Sequence, residues 1–337
     1  MTAARLAFID WMKAIGMFLI VFGHVVGGPL NFLTPPIYQK QLGVAFFLFA
    51  TGFTLARETR PVRRVVFNRL FEILLVGSVF AVLMTVASLA TGGRGQLSNY
   101  LPLALGANVV LNHFPANPTT WYIGTYLHVI LVWAAGARFL RPTLALLVAG
   151  VVAEIVIRAA LWTSVGPFVA YMALSNWMTV LLLGMYAGRV GNTGPPPWWT
   201  IVAALAVATP LACGLIWPFD AAFPFRAQPA AGGWNRLVAS VGVSLFYAGA
   251  TWLAFQVTSR LGRSRVVEFL AAQTMIIFVV HMPLYYALQP LVSAWPSWTR
   301  AVAMLIVCYV GLALAGALVY RWLRPASMRE LVAQRIG

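Results

Sequence analysis

Charge is what this sequence has least of. Only 9% of its 337 residues are charged, and acidic side chains number seven against 23 basic ones. A soluble domain carries about a quarter charged residues, so a water-facing surface of ordinary composition is excluded. Lysine is nearly absent: Lys13 and Lys40 are the two, and arginine supplies the rest of the positive charge. Cysteine is equally scarce. Cys213 and Cys308 lie in or beside apolar runs without metal-ligand spacing, and a disulfide between them cannot be argued from sequence. The net charge of +16 does not make a nucleic-acid binder either. The arginines sit in short clusters between apolar runs, which is how charge orients membrane segments.

What fills the chain is apolar surface. Hydrophobic residues make up 61% of it, and the mean hydropathy is +0.84. A soluble fold of this size has nowhere to hide so much of it, whereas lipid removes the problem. The sequence predicts an all-α, polytopic membrane helical bundle of about ten spans. They run roughly over 7–28, 41–56, 70–91, 119–137, 143–161, 171–190, 198–217, 236–259, 267–289 and 298–322. Helices follow because a spanning segment must satisfy its backbone internally. The second span is short, bounded by Lys40 and Arg57, and is expected either to extend or to be buried in protein. The first carries Asp10 and Lys13 and lacks a cleavage pattern, so it is expected to be retained. With the N-terminus inside, the inner loops and tails hold sixteen arginines and the outer side six basic residues, which places both termini in the cytoplasm. The expectation is one integral membrane domain over 1–337, multi-pass in the inner (plasma) membrane, with membrane lipid as a partner. The longest outer connections, 92–118 and 218–235, have the length of functional loops. Pro195, Pro196 and Pro197 form a stiff inner connector.

Ionisable groups inside a membrane are costly, which makes each a functional candidate. The first span has three. Asp10 and Lys13 are three residues apart and meet on one face. Lys13 and His24 are eleven apart, three turns plus about 20°, so they share a stripe with about 16 Å between them. The plainer readings are a snorkelling lysine and a histidine bonded to a neighbouring helix. His281, followed by Pro283, falls in the outer half of the ninth span, and His128 enters from the outer side, so three histidines approach one depth. With no ligand-spaced carboxylate or cysteine beside them, a general base or proton shuttle fits better than a metal site. Glu154 and Arg158, four apart, are expected to neutralise each other, as are Glu72 and Arg69. Five arginines between Arg57 and Arg69 either set topology or hold phosphates, of a lipid headgroup or of a nucleotide-bearing donor.

Motifs then add to the physics. Asp10-Trp11-Met12-Lys13-Ala14-Ile15-Gly16 followed by Val21-Phe22-Gly23-His24 resembles the opening of the acyltransferase 3 membrane family. That family shows Asp-x-x-Arg and, after ten intervening residues, a His. Lys13 stands at the Arg position, which is similar to the branch that includes fucose 4-O-acetylases. Phe46-Phe47-Leu48-Phe49-Ala50-Thr51-Gly52-Phe53 resembles the family's Phe-Phe-x-x-Ser-Gly-Phe, with Arg64 and Arg69 where basic residues follow it. Thr120-Trp121-Tyr122-Ile123 resembles its Trp-Phe/Tyr-Leu segment. The stretch from Gln273-Thr274-Met275 to His281-Met282-Pro283 resembles its late His-x-Pro element, with Phe278 at the Tyr position.

The resemblance implies about ten helices and transfer of acetyl or related groups, usually from acyl-CoA, onto sugars of surface polymers, lipids or small metabolites. It carries His24 over as catalytic and Lys13 as donor-binding. The expected arrangement has His24 as general base, assisted by His281, with Arg64 and Arg69 on the donor phosphates and Asp10, Trp121 and His128 in support. No bound cofactor is expected; acyl-CoA, acetyl-CoA foremost, is a substrate, and the acceptor is a carbohydrate or glycolipid. The rival is a transporter or flippase of a lipid-linked sugar, for which inverted repeats are the usual sign.

Overall fold

The computed structural model describes residues 6–25, 39–90, 99–114, 120–190, 198–212 and 233–336. Sixteen α-helices run through them: α1 (Ala7–Val25), α2 (Gln39–Ala56), α3 (Val62–Ala90), α4 (Tyr100–Leu105), α5 (Asn108–Leu111), α6 (Trp121–Ala135), α7 (Leu144–Ser164), α8 (Pro167–Met172), α9 (Met178–Val190), α10 (Trp198–Ala212), α11 (Gly233–Thr258), α12 (Arg265–Ala272), α13 (Thr274–Leu288), α14 (Ser297–Leu305), α15 (Leu312–Leu323) and α16 (Pro325–Ile336). A π-helical stretch, Ile306–Gly311, joins α14 to α15 in one long span. No strand occurs among the described residues. Six helices are long and apolar enough to cross a membrane, and α2, α6 and α10 are shorter apolar ones. The all-α membrane bundle is thus what forms. Pro195–Pro197, Cys213, Arg5, Arg94, Arg226, most of 218–235 and the side chains of Lys40 and Arg335 lie outside the described residues.

The helices gather into two compact units. The first comprises Met1–Arg57 and Leu140–Ala272. Here α2 is packed against both α1 and α9. Its short length is explained by burial in protein, since nearly every residue from Gln41 to Leu55 is shielded. Glycines permit the close approach. A methyl group added at Gly184 would collide with the Phe49 carbonyl oxygen of α2, and one added at Gly16 would sit 2.9 Å from that of Gly43. Helix α7 turns one stripe inward, Leu147, Gly150, Glu154 and Arg158. Its Val148, Val152 and Val156 are exposed, the face a lipid would cover. Thr143 starts α7 by accepting the Leu146 amide at 3.2 Å.

The second unit comprises Glu58–Phe139 and Gln273–Gly337. In it α3 packs against α6, α13 and α16, and α13 against α15. Two expectations are corrected. The ninth span is not one helix: Gln273, at φ −97° and ψ 1°, separates α12 from α13. Helix α12 packs on α1 in the first unit and α13 on α3 in the second, so tertiary packing overrides a helix-favouring sequence. The described part of the 92–118 connection, residues 99–114, is not simply a loop either. It contains α4 and α5, which lie against α6 and leave Leu101, Leu105, Val110 and Leu111 exposed.

Candidate active site

Each unit holds part of the candidate set. In the first, α1 carries Asp10, Lys13 and His24 on its 19 residues. Asp10 is buried, and Lys13 and His24 are half-buried. The helix is fixed on several sides. Phe8 meets Phe53 of α2 edge-on at 4.8 Å and Phe255 of α11 at 5.2 Å. The Trp11 indole donates to the Gly262 carbonyl at 2.9 Å. These contacts set the rotation of α1 and hence of the Lys13–His24 stripe. On α2, Thr51 turns its hydroxyl back to the Phe47 carbonyl at 2.9 Å, and the Arg57 guanidinium lies 5.5 Å from the Phe53 ring centre.

The first unit also holds a buried polar network. Arg158 and Glu154 form an ion pair, both essentially without solvent access, as their spacing predicts. The remaining partners come from far along the chain. Arg158 donates to the Asn176 side chain and carbonyl, the Ser240 carbonyl and the Ser240 and Ser244 hydroxyls. Glu154 accepts the Thr179 amide at 2.6 Å and the Ser244 hydroxyl at 2.7 Å. A pair so fully hydrogen-bonded is the form in which charge survives burial. Arg158, counted on the outer side from sequence, is in fact an interior residue.

In the second unit, His281 of α13 is fully buried. Its Nδ1 lies 2.9 Å from the carbonyl oxygens of Ile277 and Phe278. Carbonyls only accept, so Nδ1 carries the proton and Nε2 is the ring's basic nitrogen. Trp121 and Tyr122 of α6 join the same neighbourhood: the Tyr122 ring lies tilted 5.2 Å from that of Phe278, and Phe278 lies 6.2 Å from the His281 ring. Sequence reasoning named Trp121 and His281 but not this aromatic bridge, whose signal was the Tyr122 and Phe278 positions of two separate motifs. His128 hydrogen-bonds the Gly106 backbone and so ties α6 to the turn between α4 and α5.

The arginine run of the second unit is not uniform. Glu58 accepts the Arg60 Nε at 2.7 Å and a second guanidinium nitrogen, plus the amides of Thr59 and Arg60 at 3.2 Å. Those Arg60 hydrogen bonds hold the Glu58 carboxyl below the usual carboxylate range, against burial, which pushes it up. Arg60 is thereby engaged. Arg63 and Arg64 are exposed and Arg69 is half-buried. Glu72, expected to pair with Arg69, takes a hydrogen bond from the Tyr320 hydroxyl of α15.

An apolar bundle with six helices long enough to cross a bilayer defines a multi-pass membrane protein. The chain belongs to the acyltransferase 3 family: the family's acyltransferase domain matches residues 6–322, nearly its whole length. It is a membrane acyltransferase. No curated protein and no solved structure matches it.

Proposed function

We propose that the protein moves an acetyl group from cytoplasmic acetyl-CoA onto a hydroxyl of a carbohydrate, glycolipid or related surface glycan in the inner membrane. His24 takes the proton of the acceptor hydroxyl as its oxygen attacks the thioester carbonyl carbon. The new C–O ester bond forms, the C–S bond breaks, and the departing CoA thiolate receives the proton from the imidazolium. Lys13 binds the donor, and Arg64 and Arg69 act on its phosphates, for which guanidinium geometry is suited. His281 acts as a positioning base through Nε2, its ring set by the Nδ1 hydrogen bonds.

The observation that carries this reading is the α1 stripe, a cation and an imidazole eleven residues apart on a rigidly packed helix of a family of acyltransferases. The test is direct. Purified protein in phosphatidylcholine nanodiscs receives labelled acetyl-CoA and a panel of sugars and glycolipids. Acceptor-dependent release of CoA thiol with label on the sugar supports it. Movement of a lipid-linked sugar across a bilayer without thiol release would assign a flippase instead.

A further inference from the structure

Between Glu72 and Arg138 the chain has a single charged residue, Arg94, and residues 99–114 have none. That stretch leaves and returns at one place, because the Asn99 side chain donates to the Phe114 carbonyl at 3.0 Å. Between these ends α4 and α5 form a hairpin that turns at Gly106, in the left-handed region at φ 72°. A connection between two helices ordinarily runs over the surface. This one is tied well short of the ends of its neighbours.

Tyr100, at the start of α4, shares a hydrogen bond with the Thr85 hydroxyl of α3 at 2.6 Å. Thr85 lies thirteen residues beyond Glu72, about 20 Å along a stretch of α3 without further charge, and five residues before the helix ends at Ala90. At the turn, the Gly106 backbone hydrogen-bonds His128. A Cβ added to Gly106 would stand 3.2 Å from the imidazole Nε2 and 3.5 Å from the Leu127 Cβ. His128 is the middle residue of α6, seven from each end and so about 10 Å from either. On the way back, Asn108 donates to the Thr120 carbonyl at 3.4 Å and fills the space that a Cβ on Gly124 would need. The hairpin therefore descends alongside α6 from its first turn to its midpoint.

Its chemistry suits hydrocarbon. The Gly106 amide donates to the Leu103 carbonyl, those of Val110 and Leu111 to Ala107, and that of His113 to Asn108. Side chains of Asn99, Tyr100 and Asn108 bond to protein partners. Leu103 and Val109 are buried, while Leu101, Leu105, Val110 and Leu111 are exposed. The exposed polar side chains, Asn112 and His113, come at the returning end, beside the Asn99–Phe114 closure. Backbone groups satisfied within the protein are the condition for entering a bilayer, and water gives an apolar face no stabilisation. We propose that residues 99–114 form a re-entrant hairpin reaching about 10 Å into one leaflet, and that its face of Leu101, Leu105, Val110 and Leu111 is an interaction surface for phospholipid acyl chains. The segment is then a wedge of protein in lipid and not a cover over an aqueous mouth. Nothing in this depends on the acetyl-transfer reading.

The test uses the full-length protein in nanodiscs of phosphatidylcholine, doped with a phosphatidylcholine that carries a diazirine in the middle of one acyl chain. After photolysis the adducts are mapped by peptide mass spectrometry, and hydroxyl-radical labelling of the same particles reports contact with water. Exposed Val148, Val152 and Val156 of α7 are the lipid-facing reference. Leu101, Leu105, Val110 and Leu111 should take lipid adducts at a level comparable with α7 and stay unoxidised. Leu103 and Val109, on the buried face, should take neither label. Absence of lipid adducts from the four residues while α7 is labelled overturns the surface, whether water oxidises the face or a second copy in the particle shields it. Equal adducts on both faces would overturn the packed hairpin. Acetyl transfer by the same particles, measured separately, shows whether such a failure touches the proposed function.

Discussion

His24 occupies a half-buried position in the last turn of α1. In the proposed role of general base it would supply about two to four orders of magnitude. His24→Ala should therefore lower turnover by about that factor while the protein still inserts and elutes as wild type. Near-normal turnover in well-folded protein rules out the mechanism. Lys13 separates charge from shape: Lys13→Arg should retain substantial activity, and Lys13→Ala should raise the donor requirement more than the acceptor requirement. Equal losses toward both substrates would mean that Lys13 serves only the helix. Arg158 is a different kind of residue. Removing one partner of a buried pair costs about 3–5 kcal/mol, so Arg158→Met should lower the thermal midpoint strongly. The double change Glu154→Leu with Arg158→Met should recover only part of it, since Asn176, Ser240, Ser244 and the Thr179 amide lose their partners too.

At the scale of elements, the close pairing of α2 with α9 is the feature most exposed to single changes. Gly184→Leu places a side chain against the Phe49 backbone, which cannot move aside as a flexible tip can. Overpacking of this kind costs about 1–3 kcal/mol or more, and folded yield should fall. Gly262→Leu is the matched control, because nothing lies within 4 Å of an added Cβ there. Equal yields from the two variants would mean that the α2–α9 contact yields easily. The same elements explain what sequence could reveal. Most spans were legible because lipid demands long apolar runs, and the Glu154–Arg158 pair because its spacing is local. Their partners at 176, 240 and 244 were not, since nothing local ties residues 18 to 90 positions apart. The break at Gln273 was hidden for a related reason: Ala271, Ala272 and Gln273 favour helix, and only the separate docking of α12 and α13 ends it. The motif residues on α1, α2, α6 and α13 were found by resemblance, but the Tyr122–Phe278–His281 cluster emerges only when α6 and α13 come together.

For the whole molecule the open question is the side on which each substrate is consumed, and α1 alone frames it. With the arginine-rich side in the cytoplasm, α1 begins at the inner face. Lys13 lies six residues beyond Ala7, about 9 Å along the axis, and His24 seventeen residues beyond it, about 25 Å. The hydrocarbon core is about 30 Å thick, so on that orientation Lys13 would sit in its inner part and His24 well past its middle. A charged donor from the cytoplasm meets Lys13 first and can present its acyl end toward His24. A polar acceptor has the shorter path to His24 from the outer side. Transfer across the membrane is the expected result. In sealed vesicles that keep the cellular orientation, an acceptor supplied only outside should be acetylated when acetyl-CoA is supplied only inside. A reporter fused after Arg335 should, in the same cells, give a cytoplasmic signal. If acetylation instead requires both substrates on the inner side, the path to His24 runs from the cytoplasm for both, and the outer acceptor route is wrong. A periplasmic signal from the reporter would reverse the orientation and with it the side from which the donor comes.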